Sequence, residues 1–205
     1  TYAQQIQKLK DKNLVIPDEP NAAAVLHRYG YFALITGYKD LLKNRTTKRY
    51  LDGTTFDDIV AIYRFDEQLR ELTFRYLLHI ERHIRSSLSY SFCDLYDENQ
   101  SAYLDKHQYD ISSASKERTK YPYIEHHKTS HHNVPLWVLV GALTFGTLSK
   151  MYECSQPQVK SAVSIEFEGI NEQQLKQLLE VLTDFRNVCA HNERLFTHRC
   201  AKHDI

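Results

Sequence analysis

The chain has 205 residues, with 26 lysines and arginines against 26 aspartates and glutamates, and only six glycines and five prolines. That length suits one domain, or a domain with a small appendage, and is enough to bury a substantial core. Balanced charge removes bulk attraction as an argument for nucleic acid, so any hold on phosphate must be local. The four cysteines, Cys93, Cys154, Cys189 and Cys200, form no Cys-x-x-Cys pair, a pattern of reduced thiols rather than of a disulfide framework or a zinc site. No signal-peptide pattern opens the chain, and no apolar run approaches the ~20 residues that span a bilayer. The expectation is a cytoplasmic protein with no membrane partner. The first residue is Thr1, which leads us to expect a trimmed N-terminus.

Apolar residues recur at helical spacing almost throughout, which predicts an all-α fold. Ala3 to Lys12 reads as a short amphipathic helix, and Asn21 is placed to cap a second one that ends at Gly30. Tyr31 to Leu42 reads as a helical turn on the core, and Lys43 to Gly53 as a basic loop. From Thr55 to about Tyr96 the pattern is nearly continuous. Ile59, Ile62, Tyr63, Leu69, Leu72, Tyr76, Ile80, Ile84 and Leu88 form its expected buried stripe; one helix, or two with a bend near Arg64 to Glu67, both fit. Gln100 to Lys120 is weakly patterned. Pro135 opens an apolar helix expected to be central, with Gly141 and Gly146 permitting close helix contact. A short helix from Gln156 to Phe167 follows. Asn171 and Gln174 form a capping box for the last helix, whose expected stripe is Leu175, Leu178, Leu179, Leu182, Phe185 and Cys189. No linker marks a domain boundary.

The end of that helix carries the most chemistry: Arg186, Asn187, His191, Asn192 and Arg194. Arginine grips phosphate through a planar fork of donors, and histidine can both take and give a proton near neutral pH. Together they are enough to cleave a phosphodiester without a metal. At about 100° per residue, Arg186 and His191 differ by roughly 140° around one helix, whereas Asn187, His191 and Arg194 share a face. Arg186 lies at the edge of the leucine stripe, so it must reach outward or pair with an acid; Glu81 is one candidate partner. A two-fold dimer, bringing two copies of the pair into one cleft, would ease the geometry. The competing structural reading makes Arg186 a buried ion pair and His191 a helix-end residue meeting the dipole. Local cations that could hold phosphate include Lys39, Lys43, Arg82 and Arg85. A third reading places a metal on His126, His127, His131 and His132, but no cysteine pair completes the set, and a polar loop is preferred; no metal or cofactor is expected. Tyr29, Tyr31, Phe32, Tyr38 and Trp137 could stack on bases, although packed core is the favoured role for each.

Arg186 to His191 matches the Arg-x4-6-His signature of HEPN domains. Tyr31-Phe32-Ala33-Leu34-Ile35-Thr36-Gly37-Tyr38-Lys39 resembles the N-terminal signature of the Abi-like family (abortive infection, AbiD/AbiF type). Leu78 to Arg85 resembles that family's Glu-Arg helix. Pro135-Leu136-Trp137-Val138 with Leu143 to Lys150 resembles its central block, and Arg186 to Arg194 its closing block. The resemblance implies a single HEPN-type helical bundle over 1–205, with an N-terminal helical region, 1–53, packed on a bundle of 54–205. It implies a metal-independent endoribonuclease of a bacterial phage-defence or toxin–antitoxin system, with Arg186 and His191 catalytic. Asn187, Asn192, Arg194 and Glu81 would support them, and Arg82, Arg85, Lys39 and Lys43 would touch RNA. The implied partners are an RNA substrate, a structured noncoding RNA antitoxin and a second copy of the chain. The alternative is a non-catalytic helical module that binds a structured noncoding RNA. One departure stands out: HEPN toxins silenced by adenylylation carry tyrosine two residues after the histidine, and here that residue is Glu193.

Overall fold

The computed structural model describes residues 1–108 and 133–200. It is all-α: among the described residues only two isolated bridges, Val15 to Thr55 and Lys43 to Tyr50, have β geometry. No helix among them is long and apolar enough to cross a membrane. The chain forms two compact units, Thr1–Leu72 with Asn192–His198, and Thr73–His191 with Arg199–Ile205. The division between Leu72 and Thr73 runs inside one long helix.

In the first unit, α1 (Tyr2–Lys10) is capped reciprocally by Thr1 and Gln4. Helix α2 (Glu19–Tyr29) starts earlier than the sequence reading placed it: Asp18, not Asn21, is its cap, and its carboxylate accepts the Asn21 N–H at 2.9 Å. The reason is Pro20, which has no N–H to satisfy and is pre-set for the first helical turn. A π-turn (Phe32–Thr36) and a 3₁₀ turn (Lys39–Leu41) follow. Helix α3 (Phe56–Tyr96) is one uninterrupted helix, because no glycine or proline occurs within it. Its start is closed by Thr55 and Asp58, each bonding the other's backbone N–H. The unit's core runs from Ile6 and Leu9 through Leu26, Leu34, Ile35 and Tyr38 to Phe56, Ile59 and Tyr63.

The second unit contains the rest of α3, then α4 (Gln100–Leu104), α5 (Leu136–Leu139), α6 (Phe145–Cys154), α7 (Pro157–Ser164) and α8 (Glu172–Ala190). Its core gathers Ile84, Leu88, Phe92, Leu136, Phe145, Leu148, Tyr152, Val159, Val163, Leu175 and Leu179. The expected central helix after Pro135 is instead broken. A single 3₁₀ turn (Val140–Ala142) ends α5, Leu143 is extended, and the Thr144 hydroxyl caps α6 through the Thr147 N–H at 3.2 Å. A threonine that satisfies an orphan N–H starts a new helix more cheaply than it continues an old one. Gly146 does allow close contact, since a Cβ there would sit 3.4 Å from the Thr183 methyl of α8; Gly141 is exposed. The Asn171–Gln174 capping box of α8 is formed as expected.

The stripe on α3 differs from the apolar one that was expected. Leu72 and Tyr76 are exposed, and the buried line runs Ile59, Tyr63, Asp66, Arg70, Leu77, Glu81, Ile84, Leu88, Phe92. Its steps are of three and four residues except between Arg70 and Leu77, where the half-buried Thr73 and Phe74 bridge a step of seven, and three charged side chains lie on the buried line itself. On α8, Leu178 is exposed, Leu182, Phe185 and Cys189 are half-buried, and Val181 and Val188 are buried. Phe32 and Trp137 are mostly exposed rather than core, at 78% and 56%, while Tyr38 is buried. All four cysteines are free thiols.

Buried phenols make the fold sensitive to alkali. Burial raises the proton affinity of Tyr38, Tyr50, Tyr103 and Tyr152, with Tyr103 pushed up to about 12. The Tyr103 hydroxyl donates to the Val134 carbonyl at 2.6 Å. Each folded value exceeds the unfolded value of about 10, so this stabilisation is complete below pH about 10 and declines as pH rises through 12. Thermal melts are expected to show the midpoint falling above pH about 10, with a smaller fall for Tyr103→Phe. A flat profile up to pH about 11.5 would contradict this.

Candidate functional site

Helix α8 places the sequence motif. Its apolar residues Leu175, Leu179, Val181 and Val188 are buried, which carries Arg186 to the margin of the core. The Arg186 Nε lies 3.5 Å from Glu81 Oε2, with the arginine side chain 26% and the glutamate 8% exposed. Glu81 is the partner the sequence pointed to. Its other oxygen accepts from Arg85 Nη2 at 2.7 Å, and the same nitrogen donates to the Leu143 carbonyl at 2.9 Å. One buried carboxylate thus stands between two guanidiniums. The Arg186 guanidinium also lies over the Phe74 ring at 5.9 Å, a contact that orients the plane of the fork.

The arrangement at Arg186 is incomplete as a hydrogen-bond system. Among the described residues neither Arg186 Nε nor Glu81 Oε2 makes a hydrogen bond of good geometry, and both are buried. A charge pair in that state holds position by coulombic attraction rather than by a directed hydrogen bond.

His191 ends α8. Its backbone N–H donates to the Asn187 carbonyl at 2.9 Å, its φ and ψ are −91° and 8°, and its side chain is exposed. No hydrogen bond or ion pair engages the imidazole among the described residues. Asn187, one turn earlier, is also exposed. Arg82, on α3, is exposed and lies 3.4 Å from His79 Nδ1. Arg85 is spent largely on Glu81 and Leu143, which leaves less of it for RNA than the sequence reading allowed.

Asn192 and Arg194 belong to the first unit. Asn192 has φ 56°, the left-handed stop that asparagine tolerates best after glycine, and its side chain lies near the Tyr63 hydroxyl. The Arg194 guanidinium donates to the Gly37 carbonyl at 2.8 Å. A Cβ at position 37 would stand 3.3 Å from Arg194 Cδ, so glycine there makes room for the arginine stem. Lys43 Nζ sits 4.6 Å over the Tyr50 ring, and Lys39 is half-buried.

Asp66 went unnoticed in the sequence. It is fully buried and accepts four donors: the Tyr38 hydroxyl at 2.5 Å, Arg70 Nη1 at 2.6 Å, the Phe196 N–H at 2.6 Å and the Leu195 N–H at 3.3 Å. It fastens the Asn192–His198 segment within the first unit. Its signal was available: an Asp–Arg pair four residues apart, on the line of Ile59 and Tyr63. His126, His127, His131 and His132 lie outside the described residues.

These features define a class: an all-helical protein whose last long helix carries an arginine held by a buried glutamate and, five residues on, an exposed histidine. The family model for Abi-like proteins matches residues 24–197, and the chain belongs to that family. Membership points to abortive infection, a defence against phage. No curated protein and no solved structure gives a significant match.

Proposed function

We propose that this protein is a metal-independent endoribonuclease of the HEPN type that acts in bacterial phage defence as the toxin of a toxin–antitoxin pair. The observation that carries the reading is the Glu81–Arg186 pair on the helix that also ends in an exposed His191. A guanidinium held in place by a buried carboxylate and still partly exposed is what a charge-stabilising group requires.

In this reading the ribose 2′-hydroxyl attacks the adjacent phosphorus and the bond to the 5′-oxygen breaks. His191 accepts the 2′-hydroxyl proton, or delivers one to the departing 5′-oxygen. Arg186 neutralises charge on the non-bridging oxygens. Glu81 positions Arg186, and Asn187 orients the histidine or a neighbouring phosphate. The products are a 2′,3′-cyclic phosphate and a 5′-hydroxyl. Because Arg186 and His191 point some 140° apart on one helix, the second copy in a homodimer supplies the complementary group. A structured noncoding RNA is the proposed antitoxin.

Incubating the full chain with total RNA in excess chelator tests this. Cleavage is expected, with cyclic-phosphate ends and with single-stranded DNA of the same sequence left intact. Loss of activity in chelator, or cleavage of the DNA, would overturn the mechanism. Tight RNA binding with no scission at high protein concentration would favour a non-catalytic RNA-binding module instead.

A further inference from the structure

The segment from Lys39 to Arg49 carries five cations and one acid. It is not a loose loop. Lys43 and Tyr50 form an antiparallel bridge, the Asn44 N–H donates to the Arg49 carbonyl at 2.9 Å, and the Leu51 N–H to the Leu42 carbonyl at 3.0 Å. The Asn44 side chain closes the turn by accepting the N–H groups of Thr46 and Thr47. This ribbon leaves Arg45, Lys48 and Arg49 exposed.

Tyr50 anchors the cluster. It is 2% exposed, its N–H donates to the Lys12 carbonyl at 2.9 Å, and Lys43 lies over its ring. Lys12, in the turn that follows α1, is thereby brought beside the ribbon, 31 places from Lys43 in the chain. None of Lys12, Lys39, Lys43, Arg45, Lys48 and Arg49 makes a hydrogen bond or ion pair through its charged group among the described residues. The Lys43 ammonium is destabilised, first by burial and then by the charges of Lys12 and Lys39, with Asp40 the opposing carboxylate. The first unit therefore holds like charges together at a cost that an anion would relieve.

We infer that Lys12 and Lys43, both in contact with Tyr50, together with Lys39 in the turn leading into the ribbon and the 44–49 turn, form a binding site for the phosphodiester backbone of RNA. The RNA ligand is taken from the proposed function; the site itself rests on the ribbon's geometry. Lysines are point charges that contact phosphate without reading bases, so this surface supplies affinity and register while sequence preference is set elsewhere. Lys12 extends the two lysines already under suspicion into a patch with a shape.

The test uses the full chain with His191→Ala, in chelator, so that binding is read apart from cleavage. The probe is a labelled single-stranded RNA of about 20 nucleotides, longer than a footprint of ~4–16. Its Kd is measured across a salt series for this background, for the same chain with Lys12→Gln, Lys39→Gln and Lys43→Gln, and for a control with Lys8→Gln. The triple variant is expected to bind roughly tenfold more weakly near 0.1 M salt and to lose about 2 from the slope of log Kd against log salt. The control should keep its Kd within about twofold and its slope within about 0.3. If the triple variant melts early, Lys39→Gln and Lys43→Gln are read singly, each expected to remove about 0.7 from the slope. Unchanged affinity and slope in folded protein would overturn the site, as would equal binding to anionic phospholipid vesicles and RNA. A wild-type chain that cuts no RNA would defeat the nuclease reading and leave this measurement standing.

Discussion

His191→Ala is expected to slow RNA cleavage by about 10²–10⁴, the usual share of a positioned acid or base. The substitution isolates the imidazole well. His191 contributes to the end of α8 through its backbone N–H, its φ of −91° suits alanine, and its side chain is exposed, so the melting temperature should hardly move. The pH–rate profile supplies the readout that a structural role would not alter: the limb that reports the histidine should vanish from the residual activity. Arg186→Ala is expected to cost about 10²–10³ in kcat, but with a stability loss as well, because it leaves Glu81 with Arg85 alone. A lysine at 186 keeps the charge and loses the fork, so it should rescue stability better than rate. Full cleavage activity in folded His191→Ala would remove the histidine from the mechanism.

Asp66→Ala is expected to destabilise the protein by about 3–5 kcal/mol, the range for breaking a buried ion pair from one side. Arg70, 5% exposed, would be left as a buried cation without its carboxylate. The N–H groups of Leu195 and Phe196 and the Tyr38 hydroxyl would lose their acceptor at the same time. Asp66→Asn keeps an acceptor of nearly the same shape and should fall between the alanine variant and the parent, since it removes the charge but not every hydrogen bond. Urea unfolding of both variants against the parent checks this. A loss below about 1 kcal/mol for Asp66→Ala would show that the four bonds are not worth their desolvation. Pairing the substitution with Arg70→Met gives a sharper reading: if the unpaired cation carries the cost, the double variant should recover part of it.

The local features of this chain were legible from its residues. Helical spacing announced the all-α fold, the absence of glycine and proline between Phe56 and Tyr96 permitted one long helix, and Asn171 with Gln174 marked the start of α8. Glu81 could be proposed as the partner of Arg186 because a guanidinium at the edge of an apolar stripe needs a carboxylate. Each of these inferences uses chemistry that acts within a few residues, or a strong electrostatic demand. Tertiary structure decided the remainder. Asp66 receives the Phe196 N–H across 130 positions, and Arg194 reaches Gly37 across 157. Such contacts leave no periodic trace, and a search for apolar stripes passes over buried charges by construction. The stripe on α3 was accordingly misplaced at Leu72 and Tyr76, because the true line runs through Asp66, Arg70 and Glu81. Sequence determined which segments coil and where they stop; folding determined which charges leave water, because a partner one turn away meets only part of the cost of burying a charge and the remainder falls to groups that arrive from far along the chain, as the Leu195 and Phe196 N–H groups reach Asp66.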